Sequence, residues 1–408
     1  MKAKALKVVL AASLATTAGS ALATDIRFDG FASFVAGQVL NKDELVKDST
    51  TGNTVPFRGY DENLDFQQNS LFALQAIADL KDNLSATLQV VAKGEDDYNA
   101  KFNWAYLTYE INSEWTAKVG RQRIPYFMYS DFLDVGYAYP WIAPPTYVYN
   151  LYGFDSTDGI SLEYQTDLGN WTSRLSLMWG RAKTQLTVNG TMSETSVKNQ
   201  GLIAWSMNYD WLTLHATYAQ AFLTIDTSSA VDQIYQQFQD GTGITLSDAS
   251  RTNFLVDNDK ATFKGVGISI DPGQYFVVSE LTQLDSPNSI LQNPATQWYV
   301  SGGYRMDKFT FYATYEHVTS DYNKRGVANV VANDIAPLGL PAATEAALTD
   351  AVRQIFDNNN LPKAKSYTVG LRYNFHPSAS AKLEFMQEDN KQTDKKPQAI
   401  ALAIQLVY

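Results

Sequence analysis

The 408-residue chain contains no cysteine and only three histidines. Without thiols there is no disulfide framework and no thiolate chemistry, so stability must come from backbone ladders and packing. The only imidazole bases are His215, His317 and His376, and none stands near a serine and carboxylate constellation in sequence. Triad catalysis is therefore not indicated, and neither an enzyme nor a cofactor or metal site is expected. Beyond its first residues the chain also lacks any run of roughly 18 apolar residues, the length a membrane helix needs. With a mean hydropathy of −0.24, a helical membrane protein is excluded. Basic residues are scarce too, 32 against 43 acidic ones, which makes nucleic acid an improbable partner.

What the chain does have begins at its N-terminus. Lys2, Lys4 and Lys7 precede the apolar stretch Val8 to Ala15, followed by Ala21-Leu22-Ala23. A basic, then apolar, then small-x-small order reads as an export signal spanning residues 1–23, and the remainder, 24–408, as one domain. Removing those lysines deepens the formal charge from −11 to about −14.

From Thr24 onward, extended segments of alternating polarity are separated in turn by long polar insertions and very short turns. About sixteen such segments can be counted, from Ile26 to Leu40 at the start to Ala399 to Tyr408 at the end. In the last, Ile400, Leu402, Ile404, Leu406 and Tyr408 share one face, because successive side chains of a strand point to opposite sides. Leu84, Ala86, Leu88, Val90 and Ala92 alternate likewise with Ser85, Thr87, Gln89 and Lys93. Aromatics are 13% of the chain, with 24 tyrosines, and several flank short turns: Trp115, Trp171, Trp211 and Phe309 follow one, and Tyr109, Tyr164, Tyr209 and Tyr304 precede one. A soluble sandwich has no use for aromatics at one end of every hairpin, whereas a membrane barrel places an interfacial girdle there. The expected fold is all-β: a transmembrane antiparallel β-barrel of about sixteen strands with short periplasmic turns and long outer loops. Residues 230–238 and 343–356 read as helices within two of those loops, covering the outer mouth, and residues 182–200 read as another loop.

On this pattern the mature chain resembles the trimeric, sixteen-stranded general porins of Gram-negative outer membranes. The closing strand resembles the ending read by the barrel-assembly machinery, except that it stops on Tyr408 where the family more often has Phe. Val119-Gly120-Arg121 precedes a third long loop, as in porins whose third loop folds inward. Here that loop, residues 124–155, carries Tyr126, Phe127, Tyr129, Phe132, Tyr137, Tyr139, Trp141, Tyr147, Tyr149, Tyr152 and Phe154. So apolar a loop should pack inside the barrel, since each buried aromatic contributes about 1.5–3 kcal/mol.

The resemblance implies a constriction in which loop acids face wall cations across a transverse field. The loop offers Asp131 and Asp134; the wall offers Lys118, Arg121, Arg123, Arg174, Arg372 and Lys382. Strict alternation from Trp115 places Lys118 inside and Arg121 outside, and a bulge at Gly120 is needed to turn Arg121 inward. The inward wall charges roughly balance, so weak ion selectivity is expected. The resemblance further implies an outer-membrane homotrimer, in contact with lipid and lipopolysaccharide, that admits ions and small hydrophilic solutes by passive diffusion. The alternative is a substrate-selective channel, for sugars or small organic acids, in which the aromatic third loop serves as a sliding track.

Overall fold

The computed structural model describes residues 25–47, 54–149, 154–188, 191–251, 255–285, 294–320, 324–358 and 363–408. The expected export signal, residues 1–23, and Tyr152 lie outside the described residues. In chain order the strands are β1 (Asp25–Val39), β2 (Val46–Lys47), β3 (Thr54–Val55), β4 (Leu71–Lys81), β5 (Leu84–Lys93), β6 (Ala100–Glu110), β7 (Trp115–Arg123), β8 (Ser156–Leu168) and β9 (Trp171–Val188). They continue as β10 (Thr191–Tyr209), β11 (Leu212–Ile225), β12 (Val256–Ile270), β13 (Tyr275–Asp285), β14 (Ala295–Met306), β15 (Phe309–Ser320), β16 (Lys363–His376), β17 (Ala379–Asn390) and β18 (Gln398–Val407). β2 and β3 form a separate ribbon, and the other sixteen close into one antiparallel barrel.

Closure follows from the first and last strands. β1 pairs with β4 along its first half and with β18 along its second, in register from Phe31 opposite Val407 to Val39 opposite Ala399. Tyr408 exchanges two backbone hydrogen bonds with Gly30, each 3.0 Å, so neither strand presents a free edge.

Outward faces carry the apolar set: Phe72, Leu74, Leu107, Val119, Ile160, Val266, Val300, Leu402 and Ile404 are all exposed there. Such residues stand in lipid rather than water. At the short-turn end, aromatics from adjacent strands meet: Trp115 with Tyr164 at 4.7 Å between ring centroids, Trp171 with Tyr209 at 5.1 Å and Phe309 with Tyr373 at 4.8 Å. The turns are tight because φ is positive where it must be, at Gly169, Asp210, Gly273 and Asp307.

At the other end the expected helices appear as Ser228–Thr242 and Ala342–Asn358. Val231 and Phe238 of the first share an apolar cluster with Val327, Val330, Ile335 and Val352, so the two long loops pack on one another. The expected loop over residues 182–200 is instead the tip of the β9–β10 hairpin, paired as far as Val188 opposite Thr191.

Candidate functional site

The largest apolar cluster lies inside the lumen, where the third loop packs on the wall. Ile124, Tyr126, Phe127, Tyr139, Trp141, Val148 and Tyr149 of the loop pack on wall residues including Met178, Leu202, Phe263, Phe276, Tyr299 and Tyr312. Short helical turns at Ser130–Phe132, Gly136–Ala138 and Thr146–Tyr149, with Pro125, Pro140, Pro144 and Pro145 between and around them, keep the loop from adding a strand.

A loop buried this deeply must satisfy its own backbone, and inward wall charges do so. Glu280 on β13 accepts from the backbone N–H of Met128, 2.9 Å, and from the Tyr149 and Tyr299 hydroxyls. Glu316 on β15 accepts from the N–H of Tyr147, 3.0 Å. Glu384 on β17 accepts from the N–H of Ile142, 2.9 Å, and from the Tyr312 hydroxyl, 2.7 Å. Cations serve the carbonyls. Lys382 donates to the oxygens of Gly136 and Tyr139, each 2.7 Å, and to that of Trp141. Arg372, directly opposite it in the ladder, donates to those of Tyr137 and Tyr139, each 2.9 Å. Two facing cations would repel, and the row of carbonyls between them offsets that. The Trp141 indole donates to Ser301 Oγ and Thr314 Oγ1, and Gly136 lies so near Gln405 that a Cβ there would come within 2.0 Å of its amide.

Asp134 anchors the loop at the opposite wall. Its carboxylate is shared by Lys93 on β5, at 2.9 Å, and Arg123 on β7, and accepts from Asn103 Nδ2 at 3.1 Å. Arg123 also pairs with Asp155 at 2.9 Å and stacks over Trp104. Burial alone would raise the Asp134 carboxyl, but the charges of Lys93 and Arg123 outweigh it and hold it well below the usual carboxylate range.

The eight residues of the expected constriction thus separate. Asp134 and Arg123 form one buried ion pair, and Arg372 and Lys382 act together as clamps on the loop. Lys118 and Arg174 face the open lumen on β7 and β9: Lys118 lies 5.8 Å from the Tyr106 ring, and Arg174 donates to Gln165 and pairs with Glu163 at 3.4 Å. Asp131 is exposed at the loop tip beside Phe132, the most open of the loop's described rings at 52% exposure. Arg121 stands apart. The ladder passes Gly120 with no register shift, leaving Arg121 on the outward parity of Val119, opposite Ala105 on β6 and Asp158 on β8. It makes a two-point pair with Asp158, at 2.7 and 3.0 Å. The bulge that would turn Arg121 inward is absent, and Gly120 serves another purpose: at φ +130°, with Ala105 O 2.2 Å from where a Cβ would be, it lets two strands approach. Lys93, Asp155, Glu280, Glu316 and Glu384 are the partners that sequence reasoning missed. Strand parity marks the wall members as inward without saying what they meet.

On the long-loop side of the third loop opens a vestibule of about 2330 Å³, bordered by Lys93, Thr157, Gln200, Phe263 and Gln297. A closed barrel, a vestibule lined by both charged and apolar side chains, and an inward loop clamped to the wall define a channel across an outer membrane. The sequence matches the family model for Gram-negative porins over residues 10–393, and the chain belongs to that family. It forms an outer-membrane pore for passive diffusion.

Among solved structures, the outer membrane channel DcaP of Acinetobacter baumannii is similar at 13% identity and a TM-score of 0.56, covering 94% of this chain and 97% of its own. Salmonella typhi OmpF, in complex with daunomycin, is similar at 12% and 0.54, covering 94% and 97%. The trimer form of Vibrio cholerae OmpT is similar at 12% and 0.52, covering 94% and 99%. At such identities the likeness is one of fold. A comparison with curated proteins finds no match.

Proposed function

We propose that solutes pass between the tip of the third loop, at Asp131 and Phe132, and the wall from β6 to β9, where Tyr106, Lys118, Glu163 and Arg174 face inward. The observation that carries this is the disposition of the loop: most of its rings are spent on the β9–β15 wall, while Asp131 and Phe132 stay exposed. Buried rings leave little for a sugar to slide along, which favours sieving by size over a selective aromatic track. The charges that border the vestibule are of both signs and nearly balance, so selectivity between ions is weak.

The protein works as a homotrimer, a reading supported by the trimer form of the similar OmpT fold. It reaches the outer membrane after cleavage near residue 24, and its terminal strand is offered to the assembly machinery. Once inserted, it contacts lipid and lipopolysaccharide. Swelling of liposomes in sugars of graded size tests the sieve: rates should fall smoothly with solute size and not saturate. Saturable uptake of one sugar class would replace the general pore with a selective one.

A further inference from the structure

The loop after β1 also enters the barrel. Phe57 and Tyr60 exchange backbone hydrogen bonds of 2.8 and 2.9 Å, closing a tight turn whose tip is Arg58-Gly59, at φ +53° and +86°. Both rings are buried in a cluster with Val35, Ile142 of the third loop, Met386 and the inward alanines 399, 401 and 403. Those alanines give β18 an unusually shallow inner face, which makes room for the turn. From its tip Arg58 reaches over to the β15–β16 wall. It pairs with Glu316, a side chain only 1% exposed, and donates to Ser366 Oγ at 2.9 Å. Its guanidinium lies 5.9 Å from the Phe57 ring and 5.8 Å from that of Tyr147 on the third loop. Tyr147 is held in turn by its N–H on Glu316 and its hydroxyl on Glu388.

We infer that Arg58 and Glu316 are positioning residues of the constriction: their pair latches the first loop onto the third and closes the lumen between β15 and β1, so that two loops set the size limit of the pore. The inference rests on the diffusion-pore reading. Arg58 comes from a loop and contributes nothing to the barrel ladders, so its loss leaves the barrel closed. An isosteric Glu316→Gln keeps an acceptor for the Tyr147 N–H but removes the charge that holds Arg58. Either change frees the turn, and each unmasks the opposite charge in the lumen.

The test is planar-bilayer reversal potential under a salt gradient, together with sugar exclusion in liposomes, on wild type, Arg58→Ala, Glu316→Gln and the double variant. All three variants should admit a sugar one unit larger than wild type does. The reversal potential should move toward cations in Arg58→Ala, toward anions in Glu316→Gln, and stay near wild type in the double variant. Arg58→Lys should restore most of the wild-type limit. Opposite shifts distinguish a lumen latch from a residue that only stabilises the fold. Unchanged exclusion and unchanged potentials in both single variants overturn the inference, whereas a wild type that does not conduct overturns the pore reading itself.

Discussion

The ring of Tyr60 occupies the space that a side chain on Gly37 would take: a Cβ built there lies 2.3 Å from the ring. Tyr60 is 1% exposed and so has nowhere to swing. Gly37→Val should therefore expel the ring, costing about 1–3 kcal/mol of overpacking and releasing the turn that carries Arg58. Trypsin reads the outcome directly. Arg58 is largely buried in the wild type and should resist cleavage; in the variant the chain should be cut after Arg58 while the barrel stays intact on electrophoresis.

How far this loop could be read from sequence shows where sequence reading stops. The barrel strands were legible because lipid on one side and water on the other impose alternation. So was the inward packing of residues 124–155, because so many rings cannot face water. The β9–β10 hairpin was not legible above residue 181, since a ribbon standing beyond the membrane meets water on both faces and shows no lipid-facing pattern. The first loop offered only a few scattered apolar anchors, Leu45, Phe57 and Tyr60 among them, and its dock, the alanines of β18, lies more than 300 positions away. The clamps on the third loop were hidden for the same reason: parity placed Lys382 and Arg372 inside, but their partners are backbone carbonyls 233 to 246 positions away in the chain.

Asp134 makes the docking of the third loop resistant to acid. Its carboxyl is held below the ordinary value of 3.8 by Lys93 and Arg123, so the folded state binds its proton less readily than the unfolded chain does. Its stabilising contribution is fully present above the ordinary value and is lost only as pH falls through the lower folded one. Lowering pH from 7 to about 5 should leave this anchor in place. Asp134→Asn should mimic the acid state at neutral pH, costing up to about 3 kcal/mol of loop docking because Lys93 loses its nearest carboxylate and Arg123 keeps only Asp155. Single-channel recordings should then show flicker at pH 7 that the wild type lacks.

Lys382→Met tests the clamp on the opposite side. The substitution keeps the length of the stem but withdraws donors from three carbonyls, those of Gly136, Tyr139 and Trp141. Hydrogen bonds from a charged donor contribute about 1.5–3 kcal/mol each, and water cannot fully replace them at a buried site. The barrel ladder is untouched, so global melting should change little. Hydrogen exchange should instead rise locally, at the amides of residues 136–139, 141 and 142.

Selectivity separates the residues that face the lumen from those that do not. Among the described residues, Asp131 and Lys118 make no ion pair, and Arg174 is half exposed beside Glu163. Asp131→Asn should shift the reversal potential toward anions, and Lys118→Gln together with Arg174→Gln should shift it toward cations. Both shifts should shrink as salt rises, because the screening length falls from about 10 Å at 0.1 M to about 3 Å at 1 M. Arg121→Gln is the control. Its side chain is on the outward parity and spent on Asp158, at the rim of the vestibule, so removing its charge should shift the reversal potential far less than Lys118→Gln does at every salt concentration. A shift as large as that of Lys118→Gln would mean that Arg121 reaches the pore despite its register.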